Sequence, residues 1–163
     1  MRTRIAVIAA LAAACCGALV AIGSREAAPR FHARTMDGEQ FNNESLKGKV
    51  VLLQFWTTWC PYCRKEQAAV ETLVHDFGAR GLVVLAVNVG ESKKKVKLYL
   101  ADSPRTCKIV LTDDTNLAAL YEAKSFPLYV LIDRDGNIAG QQDGAGGEGA
   151  LRELLSKAGL DSE

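Results

Sequence analysis

A chain of 163 residues fits one domain with room for its own core. At 48% hydrophobic and 24% charged, its composition is globular and excludes a disordered chain. The net charge of +1, or −1 once Arg2 and Arg4 are removed with residues 1–23 (18 bases against 19 acids), points away from nucleic acid and anionic membrane as partners.

The first 23 residues differ from the rest. "MRTR" supplies two arginines, and no charge follows from Ile5 to Ile22. A basic start followed by an apolar run is an export signal. A run of 18 residues stands at the border between a cleaved signal peptide and a membrane anchor, and both remain open for residues 5–22. Ala21-Ile22-Gly23 offers a small-x-small cleavage site. Cys15 and Cys16 read as small apolar residues of the run, since the flanking sequence suits a lipidated cysteine poorly. The organisation expected is residues 1–23 as signal or anchor, 24–30 as a short linker, and 31–163 as the folded domain. An exported, periplasmic or otherwise extracytoplasmic protein meets oxidising conditions. Three cysteines remain there, Cys60, Cys63 and Cys107, an odd count unlike a disulfide-stapled scaffold.

Around the turn "MDGE" a short hairpin is expected near 31–42. "VVLLQFW" (50–56) is a continuous apolar run of strand length, suited to a central strand buried on both faces. A helix follows from Cys60, with Val70, Leu73, Val74 and Phe77 at helical spacing, and "FGARG" stops it. "LVVLAVNV" (82–89) reads as a second buried strand, and 91–102 as a helix with Val96, Leu98 and Leu100 partly buried and Lys93, Lys94 and Lys95 solvated. A strand at 108–111 and a helix at 114–123, capped by Asp114, come next. Strands 128–133 and 138–142 flank the turn "RDGN" as a hairpin. "GAGGEG" lacks the Lys-Ser/Thr of a phosphate loop and reads as plain loop before a closing helix at 150–159. This order predicts an α/β fold with a central mixed sheet flanked by helices.

Cys60 and Cys63 fall just past the end of strand 50–56, where open α/β sheets gather function and where a helix begins. A helix N-terminus offers unpaired N–H groups and partial positive charge, both of which stabilise a thiolate at Cys60. Cys63 lies one turn on, placed to resolve a mixed disulfide. Pro61 suits a first helical turn. Trp56 and Trp59 can shield one side of the pair and leave Cys60 the more exposed sulfur. A zinc site needs about four ligands, and one C-x-x-C with Cys107 and two scattered histidines does not supply them. A structural disulfide over so small a loop stabilises little. A peroxidatic cysteine stays open through Thr57-x-x-Cys60, although Leu53 stands where that pattern has proline. Reversible dithiol–disulfide exchange fits best. No cofactor or metal is expected.

"FWTTWCPYCRKE" resembles the active site of thioredoxin-fold proteins, and more narrowly that of the exported TlpA/ResA-like thiol–disulfide oxidoreductases. The likeness runs from about residue 29 to the final helix and takes in "LKGKVVLLQFW", "VLAVNVGES" and "FPLYVLIDRDGNI". "CPYC" alone is also the glutaredoxin tetrapeptide, but glutaredoxins lack the paired tryptophans and the "VNVGES" region. The resemblance implies a thioredoxin fold with an N-terminal β-hairpin and a central αβ insertion near 91–111. It implies a cis bond at Phe126-Pro127 beside Cys60, with Trp59, Pro61, Tyr62, Phe126 and Pro127 meeting substrate. Leu128 replaces the usual Thr, and Ala68 replaces a helix-kinking Pro, which suggests a straighter helix.

In many thioredoxins an Asp six residues before the first cysteine assists proton transfer; here Gln54 stands there and cannot titrate. The resemblance instead points to Glu66 as a buried proton acceptor, against the alternative of a solvated helix residue. Arg64 and Lys65 are expected to face solvent, His32 and His75 to be surface or satisfied histidines, and Cys107 to be a buried apolar residue. The expected function is a reductase of protein disulfides, with apocytochrome c as candidate substrate and a membrane thiol donor of DsbD/CcdA type as partner, acting as a monomer. A general oxidant or isomerase, a redoxin-type peroxidase and a thioredoxin-fold binding module are the rivals.

Overall fold

The computed structural model describes residues 25–161, so the expected signal or anchor at 1–23 and its expected cleavage site lie outside the described residues. Among the described residues no helix is long and apolar enough to cross a membrane.

The run 50–56 decides the layering, because all seven of its residues are buried and need cover on both faces. In chain order the elements are β1 (His32–Thr35), β2 (Gln40–Asn42), β3 (Val50–Trp56), α1 (Pro61–Phe77), β4 (Leu82–Asn88), α2 (Lys93–Asp102), β5 (Lys108–Thr115), α3 (Leu117–Leu120), β6 (Leu128–Ile132), β7 (Ile138–Asp143) and α4 (Gly147–Ser156). They form one seven-stranded sheet in the order β2-β1-β5-β4-β3-β6-β7. β3 runs parallel to β4 and antiparallel to β6, so the sheet is mixed. This is the thioredoxin fold, with β1–β2 as the N-terminal hairpin and α2–β5 as the insertion.

Strand alternation sorts the core into two halves. Val50, Leu52 and Trp56 face Val70, Leu73 and Phe77 of α1, Val96 of α2 and Leu151, Leu154 and Leu155 of α4. Val51, Leu53 and Phe55 face Ala28, Phe31 and Leu117. Residues 25–28 are held against the sheet: Arg25 pairs with Asp133 at 3.1 Å, and Ala28 donates its N–H to Gly136 O at 2.9 Å.

Several boundaries differ from expectation. β5 continues to Thr115, because Ala33 pairs with Thr115 and the Thr115 hydroxyl donates to His32 O at 2.6 Å. Asp114 is therefore a strand residue that accepts from Arg34 Nε at 3.1 Å, not a helix cap, and α3 shrinks to four residues after Asn116. Ser92 caps α2 by accepting from Lys95 N–H. Val96 is buried but Leu98 is 63% exposed, since only one side of α2 meets the core. α4 starts three residues early, inside the stretch expected as loop. α1 runs unbroken for 17 residues through Ala68.

Leu52 is fully buried at the centre of the sheet. Leu52→Ala is expected to cost about 2–5 kcal/mol in denaturant unfolding with little change in the slope of the transition.

Candidate active site

β3 delivers the chain to the top of the sheet at Trp56, and Cys60 is the N-cap of α1 (φ −74°, ψ 110°). Its Sγ accepts the N–H of Cys63 at 3.0 Å, and Pro61 occupies the first helical turn. Cys60 and Cys63 form a disulfide with Cα atoms 5.3 Å apart. Exposure hardly separates the two sulfurs, at 2% and 0% for the residues. What separates them is the cap: in the reduced pair a donor and a helix N-terminus already face Cys60.

The tryptophans divide the work differently from expectation. Trp56 is completely buried, with Tyr99 against it at 5.6 Å and the Arg105 guanidinium 3.8 Å from its ring centroid. Trp59 is 60% exposed, and its ring stands edge-on to Phe126 at 6.0 Å. Tyr62 is equally open, with Lys65 Nζ 5.8 Å from its ring centroid. Phe126-Pro127 is cis. Pro127 is buried, and its carbonyl accepts from Gly144 N–H at 2.8 Å. Leu128, where Thr was anticipated, is buried and pairs with Phe55 in the sheet.

Glu66 lies one turn past Cys63 on the buried stripe of α1, only 3% exposed, and not on the solvated face. Tyr129 donates its O–H to Glu66 Oε2 at 2.6 Å, and the Gly147 N–H meets Oε1. Gly147 adopts φ +79°, a conformation that favours glycine, and so turns its N–H inward at the start of α4. Burial and the hydrogen bond to Glu66 push the Tyr129 phenol far up, so it stays a donor. Behind it, Gln54 Nε2 donates to Tyr129 Oη at 3.2 Å, and Arg105 Nη1 donates to Gln54 Oε1 at 3.2 Å.

A second carboxylate went unnoticed in the sequence. Gly90 (φ +71°) turns the chain at the end of β4 and presents Glu91, whose side chain is 4% exposed. Glu91 accepts from Thr58 N–H (2.6 Å), Thr58 Oγ1 (2.7 Å) and Asn88 Nδ2 (2.7 Å), and pairs with Lys95 at 2.7 Å. Burial alone would raise its carboxyl, but the bonds from Lys95, Asn88 and Thr58 outweigh that and hold it at about 2. Arg64, exposed as expected, reaches back to donate to Thr58 O at 3.0 and 2.7 Å. Thr58 is thus tied through its N–H, hydroxyl and carbonyl, two residues before Cys60. Only the "VNVGES" string marked Glu91, and an acid after a glycine otherwise reads as solvated.

The remaining candidates stand apart. Exposed His75 pairs with Asp76 at 3.0 Å, and His32 donates its backbone N–H to Asn116. Cys107 is a free buried thiol, pushed by burial to about 11 and protonated at neutral pH.

The sequence model of the AhpC/TSA family matches residues 24–141. The chain belongs to the AhpC/TSA family. The thioredoxin-like protein YneN of Bacillus subtilis is 35% identical over 145 residues, 87% of this chain and 82% of that protein. The thiol-disulfide oxidoreductase ResA of the same organism is 30% identical over 129 residues, 79% and 72% of the two chains. Among solved structures, a thioredoxin-family thiol:disulfide interchange protein of Chlorobium tepidum superposes with a TM-score of 0.72 at 25% identity, covering 83% of this chain and 97% of the other. StoA of Bacillus subtilis shares the fold at a TM-score of 0.67 and 24% identity, over 78% and 97%. The chain is a thioredoxin-like thiol–disulfide oxidoreductase of the ResA type, with Cys60 and Cys63 as its pair.

Glu91 anchors the loop that carries this pair. Glu91→Ala is expected to lower stability by about 2–4 kcal/mol, since it leaves donors to a buried charged group unpaired. The folded-state value of about 2 lies below the usual 4.5, so the Glu91 contribution is complete above about pH 4.5 and fades as pH falls toward 2. Acid unfolding curves of the two proteins should therefore converge at low pH.

Proposed function

We propose that the oxidoreductase is exported and works as a reductase of protein disulfides. The reduced Cys60 thiolate attacks one sulfur of a substrate disulfide, and the other substrate sulfur leaves as a thiolate. Cys63 passes its proton to Glu66 and attacks Cys60 Sγ. The Cys60–Cys63 disulfide forms and the substrate departs as a dithiol, having gained two electrons and, with solvent, two protons. Trp59, Pro61, Tyr62, Phe126 and Pro127 form the rim that receives the substrate chain. The ResA-like sequence supports a Cys-x-x-Cys-His segment of apocytochrome c as substrate. It likewise supports a membrane thiol donor of DsbD/CcdA type as the source of electrons, with residues 5–22 as export signal or inner-membrane anchor and the domain acting as a monomer.

The observation that carries the direction is the burial of Glu66 one turn behind Cys63. Two effects on the reduction potential compete. The cap at Cys60 stabilises a thiolate, which favours the reduced pair and makes an oxidant. A buried carboxylate beside the pair disfavours a second negative charge there and takes up the proton of the resolving thiol. The second effect opposes the first and supports a low potential.

A second reading, a thiol peroxidase, draws on the AhpC/TSA match and on Thr57, three residues before Cys60 and buried with no partner for its hydroxyl among the described residues. Against it, Cys63 sits one turn from Cys60, where it disarms a peroxidatic sulfur by closing the disulfide.

Two experiments test the proposal. With Cys63→Ser, a disulfide-bearing substrate protein should accumulate as a mixed disulfide through Cys60; with Cys60→Ser it should not, and trapping mainly through Cys63 reverses the assignment. The direction is settled by the potential together with the redox state in cells. A pair mostly reduced, near about −270 mV, agrees with the reductase, and loss of the gene should then lower c-type cytochromes until a thiol reductant is added. A pair mostly oxidised, near about −120 mV, sinks that reading, and rapid consumption of hydrogen peroxide by the reduced protein supports the peroxidase.

A further inference from the structure

Two elements outside the cysteine helix, β6 and the start of α4, donate to Glu66, and the hydrogen bonds behind β6 can be assigned a direction one after another. The guanidinium of Arg105 has donors and no acceptor. Its Nη1 lies 3.2 Å from one end of the Gln54 amide, so that end is the carbonyl oxygen. The other end is then NH2, and it donates to Tyr129 Oη at 3.2 Å. Having accepted there, the Tyr129 hydroxyl points its single proton at Glu66 Oε2, 2.6 Å away. Glu66 must accept on Oε2, and on Oε1 it meets the Gly147 N–H, which is also only a donor. Both oxygens are thereby engaged as acceptors, and neither bond calls for a proton on Glu66.

We propose that Arg105, in the segment between α2 and β5, is a positioning residue that sets the polarity of the Gln54–Tyr129–Glu66 hydrogen-bond chain and so keeps Glu66 a proton acceptor behind the cysteines. The inference rests on the proposed role of Glu66. Arg105 touches neither sulfur through this chain; its guanidinium is parked over the Trp56 ring at 3.8 Å, which fixes where it can point. Without Arg105 the Gln54 amide is free to turn over, since a side-chain amide reverses its donor and acceptor ends by rotation. Gln54 Oε1 would then compete for the Tyr129 proton, and Glu66 would lose a donor.

The charged and titratable groups facing the chain are few. Glu66 is faced by Cys63 on its own helix, Tyr129 from β6 and the N-terminus of α4. Arg105 has Cys107 nearby, and Glu71 of α1, bound to Thr106, beyond it. A direct field effect of Arg105 on the thiols and an effect relayed through Glu66 have opposite signs. Removing a nearby cation directly makes a thiolate harder to form, moving alkylation to higher pH. Removing the donor chain leaves negative charge on Glu66 less well supported, which lessens its repulsion of a thiolate and moves alkylation to lower pH.

The test is the pH profile of iodoacetamide alkylation of the reduced, full-length chain, with product resolved at Cys60. Glu66→Gln should move the profile to lower pH by about half a unit or more, about a threefold rate change at fixed pH in the rising limb. Arg105→Met should move it the same way by a smaller amount and should not add to Glu66→Gln when combined with it, because the relay then has no acceptor to act on. Gln54→Leu removes the amide that could compete for the Tyr129 proton, so it should leave the profile near that of the parent and should cancel the shift caused by Arg105→Met. Arg105→Lys, which keeps a donor but not the planar fork, should fall between Arg105→Met and the parent. If Glu66→Gln alone leaves the profile unchanged, the proton-acceptor reading of Glu66 fails and the relay falls with it. If Glu66→Gln shifts the profile but Arg105→Met leaves it unchanged, shifts it upward, or shifts it just as far in the Gln54→Leu background, the relay is overturned while the role of Glu66 stands. Thermal unfolding identifies any variant that fails to fold, and the Gln54→Leu background separates the relay from the loss of the Arg105 charge itself.

Discussion

A carboxylate with 3% of its surface in water must find its donors inside the protein, and Glu66 takes one from β6 and one from α4. Leaving a buried charge without partners costs about 3–5 kcal/mol, enough to remove a large part of an ordinary domain's stability. That requirement reaches well beyond the site. It fixes the rotation of α1, because Glu66 shares the buried stripe with Cys63, Val70, Leu73 and Phe77. It fixes the register of β3 against β6, because Gln54 and Tyr129 are direct cross-strand partners and their side chains emerge on the same face. It also brings α4 in early, at a glycine whose N–H is needed as a donor. The helix that presents the sulfurs is therefore locked to the sheet by the group that sits behind them.

Much of this frame was legible in the sequence. The seven-residue apolar run of β3 could only be a strand covered on both faces, and the cysteines directly after it had to fall at a helix N-terminus. The two hairpins declared themselves through Asp-Gly turns. What the sequence could not resolve is instructive. The stretch Thr112 to Thr115 is polar and reads as loop and helix start, yet it is strand because β1, nearly 80 residues away, supplies its partners; no local pattern carries that. Leu98 fits a helical apolar period and is exposed, since one buried turn at Val96 suffices to dock α2. Glu66 and Glu91 look alike as letters in charged surroundings, and both are buried. Their difference from a surface acid lies in donors from elements remote in sequence. Gln54 was visible only as a missing acid, and Arg105 as nothing at all.

In the proposed mechanism the two carboxylates divide the site between structure and chemistry. Glu91 gathers Thr58, Asn88 and Lys95, so the loop entering Cys60 is tied to the end of β4 and to α2 before any substrate arrives. A loop held this way loses little further freedom on forming a mixed disulfide, which is the advantage of preorganisation. Glu66 has fewer partners, and it alone shares a helix with the pair. Cys107, the third cysteine of the domain, stays out of this chemistry because burial keeps it a thiol at neutral pH.

Both cysteines are almost wholly covered, so in the proposed reaction a substrate would be drawn in by the rim. Trp59 and Tyr62 are the large aromatics left open there, at 60% and 58%. A buried aromatic contributes about 200 Å² of surface, so covering the open part of each ring buries about 120 Å² and gains about 3 kcal/mol at about 25 cal/mol per Å². Two rings then supply about 6 kcal/mol, which lies at the low end of the roughly 4–15 kcal/mol lost in joining two molecules. The rim by itself holds a partner only weakly. That suits an enzyme that must let go of its product after each exchange, and it means that selection among disulfides cannot rest on apolar area. It has to come from features that add to the rim: main-chain contacts beside the cis-proline, the fit of the flanking substrate residues, and the rate at which Cys63 resolves the mixed disulfide once it has formed. In the proposed mechanism the last of these depends on Glu66, so the buried network that holds the helix in place would also bear on how long a partner remains attached.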